Sequence, residues 1–412
     1  MNDMFGNRVS TASASALAHY DRATDAHLHA WPGVGEAIDL ALAEAPDFAL
    51  PHALKALVLN GQGRPTLARE AIALAQSHSA RALPREQSQL ELIAAMVAGR
   101  MPDALAKAVE HARLYPTDLL GASTAVGAYG LFAFSGRADH DAARLAFTET
   151  LAANIGSVPP WLMAYQGWAR IEAGRVEEGL AMAQQAIALR PQNAHNAHIV
   201  LHGFFERQDP AAGLDFVGAW LPQYPDHALM WGHIHWHAAL AEIELGHLDA
   251  AVARLVGPIA GYLPRGTPFM GLIDLISLLW RLGLLGVQGL PWALAMTHAE
   301  RHFPNGANVF GELHLTMLAA ASADRPKLEA SLHRLQVIRE NGHAGAATAM
   351  RWAQSLLALL DDDRSAAREH LDACCEQAAC LGGSHAQRSV VDQTRQALHL
   401  PATQPQPPAR FC

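Results

Sequence analysis

Apolar residues recur along the chain at steps of three and four, and the runs they form are broken by short stretches holding Gly, Pro, Asp or Asn. Alternating β-branched runs are scarce, so the pattern predicts a nearly all-α protein of short helices joined by tight turns. The clearest window is "WLMAYQGWARIEAGRVEEGLAMAQQAIALRP", where two amphipathic stretches flank Gly174. Helical patterning continues through "LIDLISLLWRLGLLG", "LPWALAMTHAERHF", "LEASLHRLQVIREN" and "SAAREHLDACCEQAAC". It covers residues 18–398, leaving 1–17 as an expected disordered N-terminus and 399–412 as a Pro-rich tail. The turn-rich "VGPIAGYLPRGTPFMG", near 255–271, marks the expected internal boundary.

The helical pattern has a period. Counting Pro160 as position one places Gly167 at eight, Gly174 at fifteen, Gly179 at twenty, Ala183 at twenty-four, Ala186 at twenty-seven and Pro191 at thirty-two. These are the signature slots of a tetratricopeptide repeat. Small residues at eight and twenty let the two helices of one repeat approach closely, a Gly ends the first helix and a Pro ends the second. From Pro191 to Pro225 is another 34 residues, and Gly213 falls again at position twenty. Degenerate echoes close at Gly63 and Gly136, further turns are expected at Asp209 and Gly246, and downstream the units lengthen. The fold expected is an all-α, tetratricopeptide-like helical-repeat solenoid, an α-α superhelix whose first helices line a concave face.

Several stretches, in order, resemble the tetratricopeptide repeat protein 38 family: "AHIVLH" before "GLDF", then "HIHWHAALAEIELGHLDAA", "DLISLLWRL" and "LGGSHAQRSVVDQ", with "PTDLL" at 116–120 as the anchor upstream. The resemblance covers nearly the whole chain and implies an α-helical repeat fold; it carries no established biochemical activity. The family tends to place a Glu shortly after its paired His, and the nearest candidate, Glu206, sits one residue out of register.

Composition narrows the function classes. The chain has 412 residues, 50% of them apolar and only 17% charged, a formal net charge of −9, and no run of Lys or Arg able to track a phosphate backbone. It has ample material for a core, and nucleic acid is not an expected partner. Four cysteines (Cys374, Cys375, Cys380, Cys412) include no CxxC pair, which points to a reducing, cytoplasmic setting rather than a disulfide framework or thiolate zinc. The most apolar stretch, "PFMGLIDLISLLWRLGLLGV", carries Asp274 and Arg281, so no membrane partner is expected and the chain reads as soluble.

The candidate chemistry lies in histidines. "NAHNAHIVLHGFF" puts His195, His198 and His202 along one helical stripe, in repeat positions two, five and nine, which face the concave groove. "WGHIHWHAAL" adds His233 and His237 as an i, i+4 pair, with His235 pointing elsewhere. Three readings stand side by side. In the first, the histidines are ordinary capping and packing groups in a His-rich chain. In the second, they line a groove of His195, His198, His202, His233, Trp236, His237, His314 and Arg388 that binds a protein, a peptide or a small molecule, the protein acting as a binding or scaffold module. Or they form a buried enzyme site, with His198, His202, His237 and Asp274 as catalytic candidates and His198, His202, His233 and His237 as ligands of a divalent metal, the only cofactor suggested, supporting hydrolysis of a small molecule. Asp274, alone on an apolar face, needs a partner, either a histidine or one of Arg281 and Arg388. Glu312 and His314 in "GELHL" are two apart and so point to different faces, and "GGSHAQR" reads as a turn and helix cap at Ser384 with Gln387 and Arg388. No GxSxG, HExxH, P-loop or strand-linked GxGxxG motif is present.

Overall fold

The computed structural model describes residues 1–399. Among them regular structure is helical throughout, apart from a single β-bridge between Asn2 and Arg8. The helices follow one another as hairpins, and a series of left-handed residues marks their turns. Ala30, Gly63, Gly99, Gly136, Gly174, Gln208, Gly246, Gly286, Ala323 and Asp362 all have φ between 50° and 82°. Their separations run from 33 residues (Ala30 to Gly63) to 40 (Gly246 to Gly286). At all but Gly136 the next residue's N–H bonds the carbonyl five residues back, as in Arg175 to Arg170 and His247 to Glu242, both at 2.8 Å. That bond satisfies a terminal carbonyl of the outgoing helix and reverses the chain. At Asp209, Asp324 and Asp363 the same residue then caps the incoming helix through its carboxylate, which accepts from the backbone N–H of Ala212, Lys327 and Ala366. Turns of this kind run from Ala30, after the first helix Ala14–Leu28, to Asp362.

The hairpin of Pro160–Glu172 and Val176–Leu189 shows what its small residues do. A Cβ on Gly167 would sit 2.7 Å from the carbonyl oxygen of Gly179, closer than any side chain tolerates, so both positions require glycine for this approach. Gly213 is looser, since its Cβ would meet only Phe204 at 3.5 Å.

Two compact units divide the chain. The first comprises Met1–Phe132, Asp141–Gly203 and Pro222–Met230; the second comprises Ala133–His140, Phe204–Leu221 and the chain from Trp231 onward. The expected boundary at 255–271 is therefore not one. That stretch lies inside the second unit, where Leu248–Arg254 runs on through a π-helical turn at Leu255–Ile259 that absorbs Pro258. The N-terminal residues expected to be disordered are also ordered. Asp3 forms a turn that accepts from the backbone of Phe5 and Asn7, the Ser10 N–H donates to Glu86 at 2.9 Å, Arg85 donates to the Arg8 carbonyl, and Ser13 caps the first helix. Polar side chains, invisible to hydrophobic patterning, hold this segment. The Pro-rich tail from residue 400 lies outside the described residues. Among the described residues no helix is long and apolar enough to cross a membrane; Pro268–Leu284, the longest of them at 17 residues, is a core helix buried nearly all round.

Candidate functional site

In the second unit the helix Trp231–Glu244 is buried along almost its whole first half, including His233, His235, Trp236 and His237. It packs on Pro268–Leu284 through a ladder of polar pairs. His233 Nδ1 donates to both carboxylate oxygens of Asp274, at 2.9 and 3.0 Å. Three residues on in each helix, Trp236 Nε1 donates to Ser277 Oγ at 3.0 Å. One further turn along, the Arg281 guanidinium lies over the Trp236 ring, 5.5 Å from its centroid. The indole also stacks flat on the His233 imidazole, with 5.4 Å between centroids and 7° between planes, while His237 stands edge-on to His233 at 5.0 Å. Because Nδ1 carries the shared hydrogen, the basic lone pair of His233 is on Nε2. Asp274 thus pairs with a histidine and not with either arginine. Arg281 instead donates to the carbonyls of Ser277 and Ala386 and to Ser389 Oγ, and Arg388 donates to the Gly383 carbonyl.

His233 and Asp274 line a small cavity within this unit, together with Tyr262, Thr267, Met270 and Gly271. It has space for about one water molecule. Its wall is formed by the chain leaving the π-helical turn, and the Tyr262 ring rests on Gly232 and Gly266, where a Cβ would come within 2.9 and 2.6 Å of it. His235 does point elsewhere: its Nδ1 lies 2.9 Å from Arg254 Nη1, and Arg254 in turn donates to Glu242. Burial, reinforced by Arg254, pushes the His235 pKa down to about 4.

In the first unit a second ladder joins Pro160–Glu172 to the helix that begins at Ala194. Tyr165, Trp168 and Glu172 face His195, His198 and His202, each pair 30 residues apart. Ring centroids are 6.2 Å apart for Tyr165 and His195 and 5.8 Å for Trp168 and His198. His202 meets the Trp168 ring edge-on at 4.5 Å, and its Nδ1 lies 3.5 Å from Glu172 Oε1. His198 Nε2 and His202 Nε2 are 2.9 Å apart, with their rings perpendicular.

Of the eight residues expected along an open groove, only His195 keeps appreciable exposure; His198, His202, His233, Trp236, His237, His314 and Arg388 are all buried. The stripe is enclosed, because its imidazoles and indole find partners on neighbouring helices rather than in solvent. The histidines of the two clusters belong to different units: His198 and His202 to the first, His233 and His237 with Asp274 to the second. His314 and Glu312 are split as their spacing requires. His314 Nδ1 donates to its own helix at the Phe310 carbonyl, and Glu312 accepts from Arg334 and from the Ala307 N–H. Ser384 and Gln387 form a reciprocal helix cap, leaving no open anion site there. Glu206, out of the family's register, accepts from His385 Nδ1 at 2.7 and 2.8 Å.

Sequence reasoning missed a buried polar network in the first unit. Arg85 donates to Asp118 and lies 3.5 Å from Asp3, His111 Nε2 lies 3.2 Å from Asp118, and His111 Nδ1 meets Ser88 Oγ at 2.9 Å. The available signals were local ones: Pro84 opening a helix just before Arg85, and Asp118 in "PTDLL" capping the next helix at Gly121. No protein-family model matches the chain.

Proposed function

We propose that the chain is a tetratricopeptide-like helical-repeat protein, akin to the tetratricopeptide repeat protein 38 family, whose interior His233–Asp274 pair is a general acid–base site acting on a small molecule, with hydrolysis as the reaction class. The recurrence of left-handed turns every 33 to 40 residues supports the repeat assignment. One observation carries the catalytic reading. A buried carboxylate fixes the Nδ1–H tautomer of a buried imidazole beside a cavity that accommodates about one water, which is the reactant such a base would activate. His233 Nε2 takes a proton from water as hydroxide adds to an acyl carbon, and the resulting imidazolium returns that proton to the leaving group. Asp274 holds the ring in place and stabilises its charged form without itself being protonated. A substrate larger than water requires the wall at Ile259 and Tyr262 to move. Enclosure of the histidines and Trp236 argues against the alternative in which they form a contact surface for a protein partner.

Hydrolysis of p-nitrophenyl acetate by the full chain tests the reading. His233→Gln and Asp274→Asn should each remove most of the rate above that of free imidazole. A wild-type rate no greater than free imidazole, or variants indistinguishable from wild type, would overturn it.

A further inference from the structure

We propose that His198 and His202 supply two of the ligands of a divalent transition-metal site, with Glu172 as the carboxylate that orients the second ligand. The inference concerns the first unit and stands independently of the acid–base reading. The two imidazoles leave the same helix one turn apart, and their Nε2 atoms converge to 2.9 Å. Ligand nitrogens on a tetrahedral ion with bonds of 2.0–2.1 Å lie about 3.3 Å apart, so a small rotation of either ring admits an ion between them. Imidazole is a ligand suited to zinc, copper, nickel and iron.

The surroundings of the pair match those of ligating histidines. His202 Nδ1 lies 3.5 Å from Glu172 Oε1, a charge contact beyond hydrogen-bond geometry. A small ring rotation that closed it would place the proton on Nδ1 and the lone pair on Nε2, and such a carboxylate–histidine pair is the arrangement that orients a metal-ligating imidazole. Trp168, on the helix Pro160–Glu172, closes on both rings and restricts their rotation. Glu172 has no exposed side-chain surface, so its charge bears directly on a cation held at the pair. The competing account is a proton shared between the two rings, with His198 donating from Nε2 to His202 Nε2.

The full-length chain, made without an affinity tag and stripped with a chelator, is titrated with Co2+ and with Zn2+. One equivalent should bind, with a Co2+ spectrum of low coordination number and a melting temperature that rises with free metal. His198→Gln and His202→Gln should abolish that equivalent, Glu172→Gln should weaken it about 10–100-fold, and His52→Gln, at a position where the imidazole stacks on His78 with 5.7 Å between centroids, should leave it intact. X-ray absorption of the wild-type zinc complex, which needs no variant to fold, should show at least two imidazoles bound to the metal. Less than one equivalent in the wild type, binding that survives both histidine substitutions, or absorption data without imidazole scattering would leave the shared proton as the explanation and overturn the proposal.

Discussion

His233 and Asp274 share a two-point hydrogen bond, 2.9 and 3.0 Å from one nitrogen to two oxygens, with both residues almost wholly withdrawn from solvent. Removing the carboxylate leaves a buried N–H with nothing to accept it, at a cost of about 1–3 kcal/mol. Asp274→Ala should therefore lower the urea midpoint, whereas Asp274→Asn should keep more of the stability while selecting the wrong tautomer and losing the charge. The ring-nitrogen shifts of His233 in a 15N-labelled chain check this: wild type with its proton on Nδ1, Asp274→Asn with the population shifted to Nε2.

Trp236 separates an interior role from a contact role. It is fully buried, bonded to Ser277 and stacked on His233. Trp236→Ala should cost about 3–5 kcal/mol, the usual loss for a large aromatic side chain from a core. Trp236→Phe, which gives up the bond to Ser277, should cost distinctly less. Chemical denaturation of both variants decides the matter; a Trp236→Ala chain as stable as wild type would show that the side chain does not hold these helices.

The turn series allows a test free of tertiary contacts. At Gly246 nothing lies within 4 Å of an added Cβ and φ is 75°, so Gly246→Ala should cost about 1 kcal/mol through the backbone alone. Ala323, exposed at φ 52°, already bears that strain. Ala323→Gly should stabilise by roughly 0.5 kcal/mol, the relief of strain exceeding the added entropy of the unfolded chain. Opposite shifts in denaturation midpoint are expected.

These turns explain how far the fold is legible in the sequence. Where the left-handed residue is Gly, as at Gly63, Gly174 and Gly246, the hairpin can be read directly. Where it is Gln208, Ala323 or Asp362, the turn forms by the same backbone bond without the residue that advertises it. The histidine stripes are legible as periodicity, since three-and-four spacing fixes which side chains share a face. What covers that face is not, because burial of His202 or Trp236 depends on residues such as Trp168 and Ser277 on other helices. For the same reason a stripe expected to be open is closed, and Asp274 finds a histidine 41 positions away instead of the arginine one turn pair beyond it.

Burial pushes His235 and His314 down to about 4, with the positive charge of Arg254 and of Arg281, respectively, acting in the same direction. Their unfolded values are near 6.5, so between about pH 4 and 6.5 the unfolded chain binds more protons and stability rises with pH. The stabilisation from neutral burial is complete above 6.5 and is lost as pH falls towards 4. Each site contributes up to about 1.4 kcal/mol per pH unit in that window. Urea midpoints from pH 7 to pH 5 should fall, and His314→Leu should flatten the slope by about one proton; an unchanged slope would mean that His314 does not titrate on unfolding.

The Arg85–Asp118 pair predicts a different loss. Burial acts to raise the Asp118 pKa, but the hydrogen bonds and charges of His111 and Arg85 outweigh it and hold the carboxyl below its ordinary 3.8. Its contribution is therefore present above the unfolded value and disappears only as pH falls below about 4. Asp118→Asn takes away the charge facing Arg85 and His111 and the principal anchor of a guanidinium that is itself buried. Loss of one member of a buried pair costs about 3–5 kcal/mol, more than a hydrophobic replacement of both members. Asp118→Leu combined with Arg85→Met should accordingly be more stable than Asp118→Asn alone. Since Arg85 also meets Asp3 and the Arg8 carbonyl, both variants should loosen the N-terminal segment, read as faster proteolytic removal of residues 1–10. A double variant no more stable than the single one would show that the network stabilises the unit as charge and not merely as a pair too costly to break.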